Sequence, residues 1–268
     1  MSASQANILN TCGMQWCLQY YEKAEADDKK TFMATLFGSA LHAVLEDLFS
    51  DKKFVQNEKQ EDILERALSV FIDYFKEDYK SHKERGYNII VGAKKPTDVV
   101  NEYIYTAKIA TKKVLSLNLF DKYDKISCEE EFEYDDERFL INGKIDFLLF
   151  NKKLYDVIDF KTGKHFTYKG LHNDLQMIFY IVMTYHKFKK LANDFKFMKF
   201  NRESLSLSMI DCLEPIDNTI LKVYDESVQA LSDKIDDGIK NGFGKIENAY
   251  KCQYCQWCNF KSTCKKRK

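Results

Sequence analysis

Residues 31–50 carry apolar positions at helical spacing, among them Leu36, Leu41, Val44, Leu45 and Leu48, and the pattern predicts a buried helix that admits Gly38. Further helices are predicted at about 57–82, where Ile63, Leu64, Ala67, Leu68, Phe71 and Phe75 share a face, and at about 97–116, through Tyr103, Ala107, Ala110 and Val114. Gly86 and the stretch from Gly92 to Pro96 mark loops. From Glu129 the pattern changes. Glu129–Tyr134, Phe139–Phe150 and Leu154–Phe160 are short runs rich in β-branched and aromatic residues, separated by turn residues, and predict a three-stranded meander. A helix at about 171–190 follows, then alternating runs at Phe195–Phe200 and Leu205–Ile210, then a helix at about 216–240 with Ile220, Tyr224, Leu231 and Ile235 on one face. This order predicts an α/β or α+β chain with a central mixed sheet flanked by helices.

At 268 residues the chain is long for one domain and short for two, so one core with an elaborated periphery is expected, residues 1–268 forming a single domain. Hydrophobic residues are 45% and charged residues 31%, with two prolines, which describes an ordered globular chain. Acidic and basic residues cancel at 41 each, so any nucleic-acid site must be a local patch. The basic cluster Lys265 to Lys268 reads more simply as a solvated end. The N-terminus has no basic region followed by an apolar run, and no stretch reaches the roughly 18 apolar residues that span a bilayer; a cytoplasmic protein without a membrane partner is expected. In that reducing setting the eight cysteines read better as metal or cluster ligands than as disulfides.

Chemistry concentrates in Gly143-Lys144-Ile145-Asp146 and, thirteen residues on, Asp159-Phe160-Lys161. A hairpin return brings Asp146 and Asp159 to neighbouring positions on adjacent strands. Two carboxylates meeting at a sheet end repel unless a cation lies between them, and oxygen ligands select a hard one such as Mg²⁺ or Mn²⁺. Lys161 is two residues beyond Asp159, so strand alternation puts both on one face, where the lysine can position the attacking water and stabilise charge on phosphorus. An Asp-x-Lys on a strand is also common without any such role. Gly38 and His42 lie on the first predicted helix, with Glu46 a turn further on; His42 offers one more metal ligand. Gln176 and Tyr180, four apart on the helix after Lys161, offer an amide and a phenol to DNA phosphate or base.

Gly-x-x-x-His, Gly-Lys-Ile-Asp, Asp-Phe-Lys and Gln-x-x-x-Tyr, in this order, resemble the motif series of RecB-family PD-(D/E)XK nucleases. The resemblance implies a restriction-endonuclease-like sheet, with His42, Asp146, Asp159 and the backbone carbonyl of Phe160 as metal ligands. It also implies Lys161 as the catalytic lysine and Gln176 with Tyr180 on the DNA side. The chain ends in Cys252-x2-Cys255-x2-Cys258-x5-Cys264 and begins with Cys12 and Cys17. Cys255, Cys258 and Cys264 with Cys12 look like the [4Fe-4S] clip of AddB-type nucleases and of CRISPR-associated RecB-like exonucleases, a clip that joins the two termini. Cys17 is the alternative to Cys12, because Gly13 stands where the family has proline. Cys252, Cys255, Cys258 and Cys264 are equally four thiolates fit for structural zinc. Cys128 and Cys212 read as small buried hydrophobes. The helices at about 51–122 lie outside the resemblance and read as a family-variable insertion.

The function expected is a metal-dependent DNA exonuclease acting on single strands or ends in repair, recombination or phage DNA processing. A CRISPR-adaptation nuclease that trims spacer precursors would share the active site, and a catalytically silent DNA-binding module is the reading from another class. No Walker-type loop is present, so a helicase or recombination partner would be a separate chain. The abundance of Lys, Asn, Phe and Tyr is compositionally associated with A+T-rich genomes, such as those of phages.

Overall fold

The computed structural model describes residues 1–27, 29–163, 170–212, 214–244 and 253–266; Cys252 and the side chains of the basic tail, Lys265 to Lys268, lie outside the described residues. In chain order the elements are α1 (Ala3–Thr11), α2 (Gly13–Trp16), β1 (Lys30–Phe32), α3 (Met33–Ser50), α4 (Lys52–Asn57), α5 (Gln60–Glu84), β2 (Asn88–Ile90), α6 (Pro96–Leu115) and α7 (Leu119–Lys122). Then come β3 (Lys125–Asp135), β4 (Leu140–Asn151), β5 (Leu154–Thr162), α8 (Leu175–Phe188), β6 (Asp194–Asn201), β7 (Ser206–Asp211), α9 (Thr219–Asn241), α10 (Gln253–Gln256) and α11 (Lys261–Lys266). The five long helices and five strands expected from the apolar pattern are all present, with ends moved by a few residues.

Strands β3 to β7 form one sheet in sequence order, antiparallel throughout except for the parallel pair β5 and β6. A parallel pair needs a crossover, and α8 supplies it. Alternation along the strands feeds two cores. Ile158 and Phe160 of β5, with Met198 and Phe200 of β6, face α3, α5 and α6. Tyr155 and Val157, with Phe195 and Phe197, face α1, α8 and α9. Helix α3 is buried almost all round, through Leu36, Phe37, Leu41, Val44, Leu45 and Leu48 among others, because it is covered by the sheet on one side and by α5 and α6 on the other.

Residues 1–21 hold elements that the apolar pattern leaves unread. A capping box starts α1: Ser2 Oγ accepts from Gln5 N, and the Gln5 side chain accepts from Ser2 N. A two-stranded parallel pairing of β1 with β2, Phe32 opposite Ile90, joins segments more than fifty residues apart. The segment that ends the chain lies against residues 12–30. Met14 and Leu18 pack on Phe260, Lys30 N donates to Asn259 Oδ1 at 3.3 Å, and Thr263 N donates to Asp27 Oδ2 at 2.8 Å.

Candidate active site

The β3–β4 ladder runs unbroken from Lys125·Phe150 to Asp135·Leu140 except at Glu129 and Asp146, which stand opposite one another. The pleat changes phase there. Ile141 and Ile145 belong to the core under α8, whereas Phe147 and Leu149, at the same parity along β4, belong to the core under α3. On β3 the same switch separates Ile126 and Cys128 from Phe132 and Tyr134. Glu129 takes up the change with φ of 51°, the left-handed region, an unfavourable conformation for a residue with a Cβ. The outcome is that Glu129 and Asp146 both turn toward α3. There His42 Nδ1 lies 3.3 Å from Glu129 Oε1 and 3.5 Å from Asp146 Oδ1, and its ring packs edge-on against Phe160.

The β4–β5 ladder ends at Phe147·Ile158, one position short of Asp146 and Asp159. In place of the next rung, Phe160 N donates to Asp146 Oδ2 at 2.6 Å. Asp159 and Lys161 point to the other side, toward α8. Gln176 Nε2 donates to Asp159 Oδ1 at 2.8 Å, and Lys161 Nζ donates to Gln176 Oε1 at 2.7 Å. Lys161 Nζ also lies 2.6 Å from Asp159 Oδ2 as an ion pair, although that oxygen is buried and receives no well-directed hydrogen bond. Tyr180 OH accepts from Gln176 and donates to the Lys144 carbonyl, tying α8 to β4. Asp174 caps α8 by accepting from the Gln176 and Met177 amides, which fixes the amide side chain that reads both Asp159 and Lys161.

Electrostatics follow from this crowding. Asp159 is 1% exposed, and burial, with the nearby charge of Asp146, pushes its carboxyl well above the usual carboxylate range. Burial works to lower His42, but Asp146 and Glu129 outweigh it and hold the imidazolium up to about 10. Burial also works against Glu129, yet His42 and Lys144, the latter 2.7 Å from Oε2, hold it below its ordinary value. The protein thus places its own positive charges where oxygen ligands converge. Among the described residues, His42, Glu129 and Asp146 form a group whose ligand atoms lie within 4.8 Å of one another, an oxygen-rich set with one imidazole that fits a hard divalent cation.

Of the expected metal ligands, His42 and Asp146 lie together, with Asp159 adjacent but engaged by Lys161 and Gln176. Glu129 takes the third place in the converging set and was not anticipated from sequence. Phe160 engages Asp146 through its amide and packs its ring in the core under α3. Gln176 is joined to Lys161 and Asp159 and Tyr180 to Gln176; Tyr180 is buried.

The site opens into a cleft of about 670 Å³ lined by, among others, Phe32, Gly38, His42, Tyr74, Thr162 and Arg202. Gly38 faces the end of β5 so closely that a Cβ there would lie 2.9 Å from Thr162 Oγ1, a hydroxyl on a branched side chain with little freedom to retreat. Gly38→Ala is expected to separate α3 from β5, lowering stability by about 1–3 kcal/mol and slowing any activity that needs His42 and Lys161 in register. Thermal unfolding of Gly38→Ala against Gly38→Ala/Thr162→Ala, which removes the clashing hydroxyl, checks this: the second substitution should recover stability.

The chain matches the PD-(D/E)XK nuclease superfamily over residues 1–265 and belongs to that superfamily. No curated protein matches its sequence. Among solved structures, an Eubacterium rectale protein provisionally named an exonuclease aligns at 14% identity with a TM-score of 0.57, over 96% of this chain and 86% of its own; this shows a shared fold. A second structure, of the protein SSO0001, aligns at 12% identity over 92% of this chain and 91% of its own, at a TM-score of 0.32.

Proposed function

We propose that this chain is a metal-dependent deoxyribonuclease, an exonuclease that hydrolyses phosphodiester bonds of single-stranded DNA or of DNA ends in repair, recombination or phage DNA processing. The observation that carries the reading is the meeting, where the β4–β5 ladder ends, of an ammonium fixed by two partners and an acid–imidazole set suited to a hard cation. His42, Asp146 and Asp159 with the Phe160 carbonyl, and Glu129 in addition, would hold Mg²⁺ or Mn²⁺. When bound, the cation supplies Lewis acidity at phosphorus and acidifies the attacking water. Lys161 places a permanent positive charge beside the non-bridging oxygens as negative charge builds on them. Gln176 and Asp159 keep that ammonium aimed, so little reorganisation is needed on the way to the transition state. Half-buried Gln176 lies on the DNA side of α8, and Tyr180 holds it there.

We also infer that Cys12, Cys255, Cys258 and Cys264 hold a [4Fe-4S] cluster. Supporting this, Cys12, Cys258 and Cys264 pack against one apolar cluster around Phe260. Burial pushes the Cys258 thiol up, and the neighbouring Cys12 and Cys264 add to that. Cys17 is buried with its Sγ 3.4 Å from Glu22 Oε1, which favours Cys12 as the fourth ligand. The cluster would act as a staple between distant parts of the chain, so that residues 1–268 work as one nuclease unit, with 51–122 an insertion on α3. No described helix is long and apolar enough to cross a membrane, and cytoplasmic work beside a separate helicase or recombination partner fits the reading.

The test is degradation of end-labelled single- and double-stranded DNA by anaerobically purified protein. Cleavage with Mn²⁺ or Mg²⁺, stopped by chelator and producing a ladder from one end, is expected. Binding without cutting under every metal would overturn the assignment.

A further inference from the structure

Phe32, the residue before α3, lines the catalytic cleft with its ring 37% exposed. Its backbone is held twice, by the β1–β2 pairing and by the start of the helix that carries Gly38 and His42. Against it, at 4.9 Å between centroids and 62° between planes, lies Trp257, itself 48% exposed. Trp257 sits between Cys255 and Cys258, in the segment tied to Asp27 and Lys30 through Asn259 and Thr263. Tyr74, 42% exposed, lines the same cleft. Large aromatic rings left half-open beside a catalytic site, on backbone fixed from several directions, are costly in water and useful to a flat ligand.

Arg202, in the turn between β6 and β7, supplies the complementary chemistry. Its guanidinium lies over Phe37 and Tyr103, at 5.5 and 5.7 Å from the ring centroids, and donates to Tyr103 OH at 3.2 Å. Its Nε is buried without a hydrogen-bond partner, and among the described residues no carboxylate pairs with it. This is a fixed cation without a carboxylate partner, whereas the other cations of the cleft wall, His42 and Lys144, are both engaged by Glu129. A stacked arginine with no carboxylate partner suits a phosphate.

Resting on the catalytic reading of this cleft, we propose that Phe32 and Trp257 form a base-stacking step at its mouth and that Arg202 takes a backbone phosphate, so that the cleft grips a strand with unpaired bases. Paired bases keep their faces inside the helix, whereas a single strand offers them to aromatic rings. Ten residues of α3 geometry separate Phe32 from His42, about 15 Å at 1.5 Å per residue. That span is on the order of a few nucleotides, about four at the duplex spacing of 3.4 Å and fewer in an extended strand. The grip therefore needs a strand longer than this.

The experiment measures fluorescence anisotropy of labelled oligothymidylates and of a blunt duplex in Ca²⁺, with the full-length protein. Phe32→Ala and Trp257→Ala are expected to weaken a twelve-residue oligothymidylate roughly 5- to 100-fold, and Trp257→Phe to retain most of the affinity. Phe32→Leu keeps an apolar contact for Trp257 and so preserves the fold, but loses the flat ring; it should bind as poorly as Phe32→Ala. Arg202→Gln should reduce the salt dependence of log affinity by about one unit. If wild type binds and cuts but Phe32→Leu and Trp257→Ala bind the oligothymidylate as wild type does, the stacking step is wrong while the catalytic reading stands. If wild type neither binds nor cuts any strand, both fall.

Discussion

Lys161→Ala is expected to lower metal-dependent DNA cleavage by about 10²–10⁴-fold while leaving the fold and metal affinity close to wild type. The size follows from what Lys161 touches. Its ammonium is held at 2.7 Å by Gln176 and at 2.6 Å from Asp159, on the strand next to Asp146. It is a permanent positive charge in contact with Asp159, as Lys144 is with Glu129, and its loss removes stabilisation felt mainly in the transition state. A side chain serving only to neutralise Asp159 would behave differently: its removal would lower metal-free stability and leave turnover little changed. Single-turnover rates at saturating Mn²⁺, with thermal unfolding of the same preparations, separate the two. Cleavage by Lys161→Ala at the wild-type rate would sink the role.

Asp159→Asn should produce opposite changes in stability and activity. Cleavage should fall at least as far as in Lys161→Ala, because the variant offers a poorer ligand. The metal-free protein, however, should gain about 1–3 kcal/mol, since a buried oxygen without a directed donor is replaced by a neutral amide. The sign with pH is defined. A carboxyl raised in the folded state is penalised once pH passes its unfolded value near 4, so metal-free wild type loses stability as pH rises from there toward the raised value, and Asp159→Asn removes that slope. Unfolding midpoints across pH 4–8 in chelator would show it. Equal slopes for the two proteins would mean that Lys161 already neutralises Asp159 fully. Adding Mn²⁺ should reverse the ranking, because a ligand that binds only the native wild-type site stabilises that protein alone.

Much of this site is legible in the sequence because the residues that carry it sit on regular elements. Gly38 and His42 fall four apart on an apolar helix, Asp159 and Lys161 two apart on a strand, and Gln176 and Tyr180 four apart on the next helix; each spacing dictates a shared face, and each pair is found on one. Glu129 is a different case. It stands first in Glu129-Glu130-Glu131, in a run whose apolar positions Ile126, Cys128, Phe132 and Tyr134 keep one parity on either side of the three acids. That alternation predicts one continuous face, whereas the strand changes phase in the middle, and only the left-handed backbone at Glu129 decides which acid turns toward His42. The β1–β2 pair is hidden for another reason: three residues bonded to three others across the whole of α5 leave no periodic trace. α1 had a readable signal, the Ser2–Gln5 capping box, which an apolar-pattern reading passes over.

The double burial of α3 bears on how such a chain can change length. Its outer face is covered by α5 and α6, and those same helices bring Tyr74 to the cleft and Tyr103 to Arg202. The helices between 51 and 122 thus help to wall the cleft. Removing them piecemeal would bare Phe37, which packs on Phe71 of α5 and Tyr103 of α6, to water, at roughly 1.5–3 kcal/mol for a large side chain uncovered. A change in this helical cover would therefore alter the lining of the cleft as well as the support of α3.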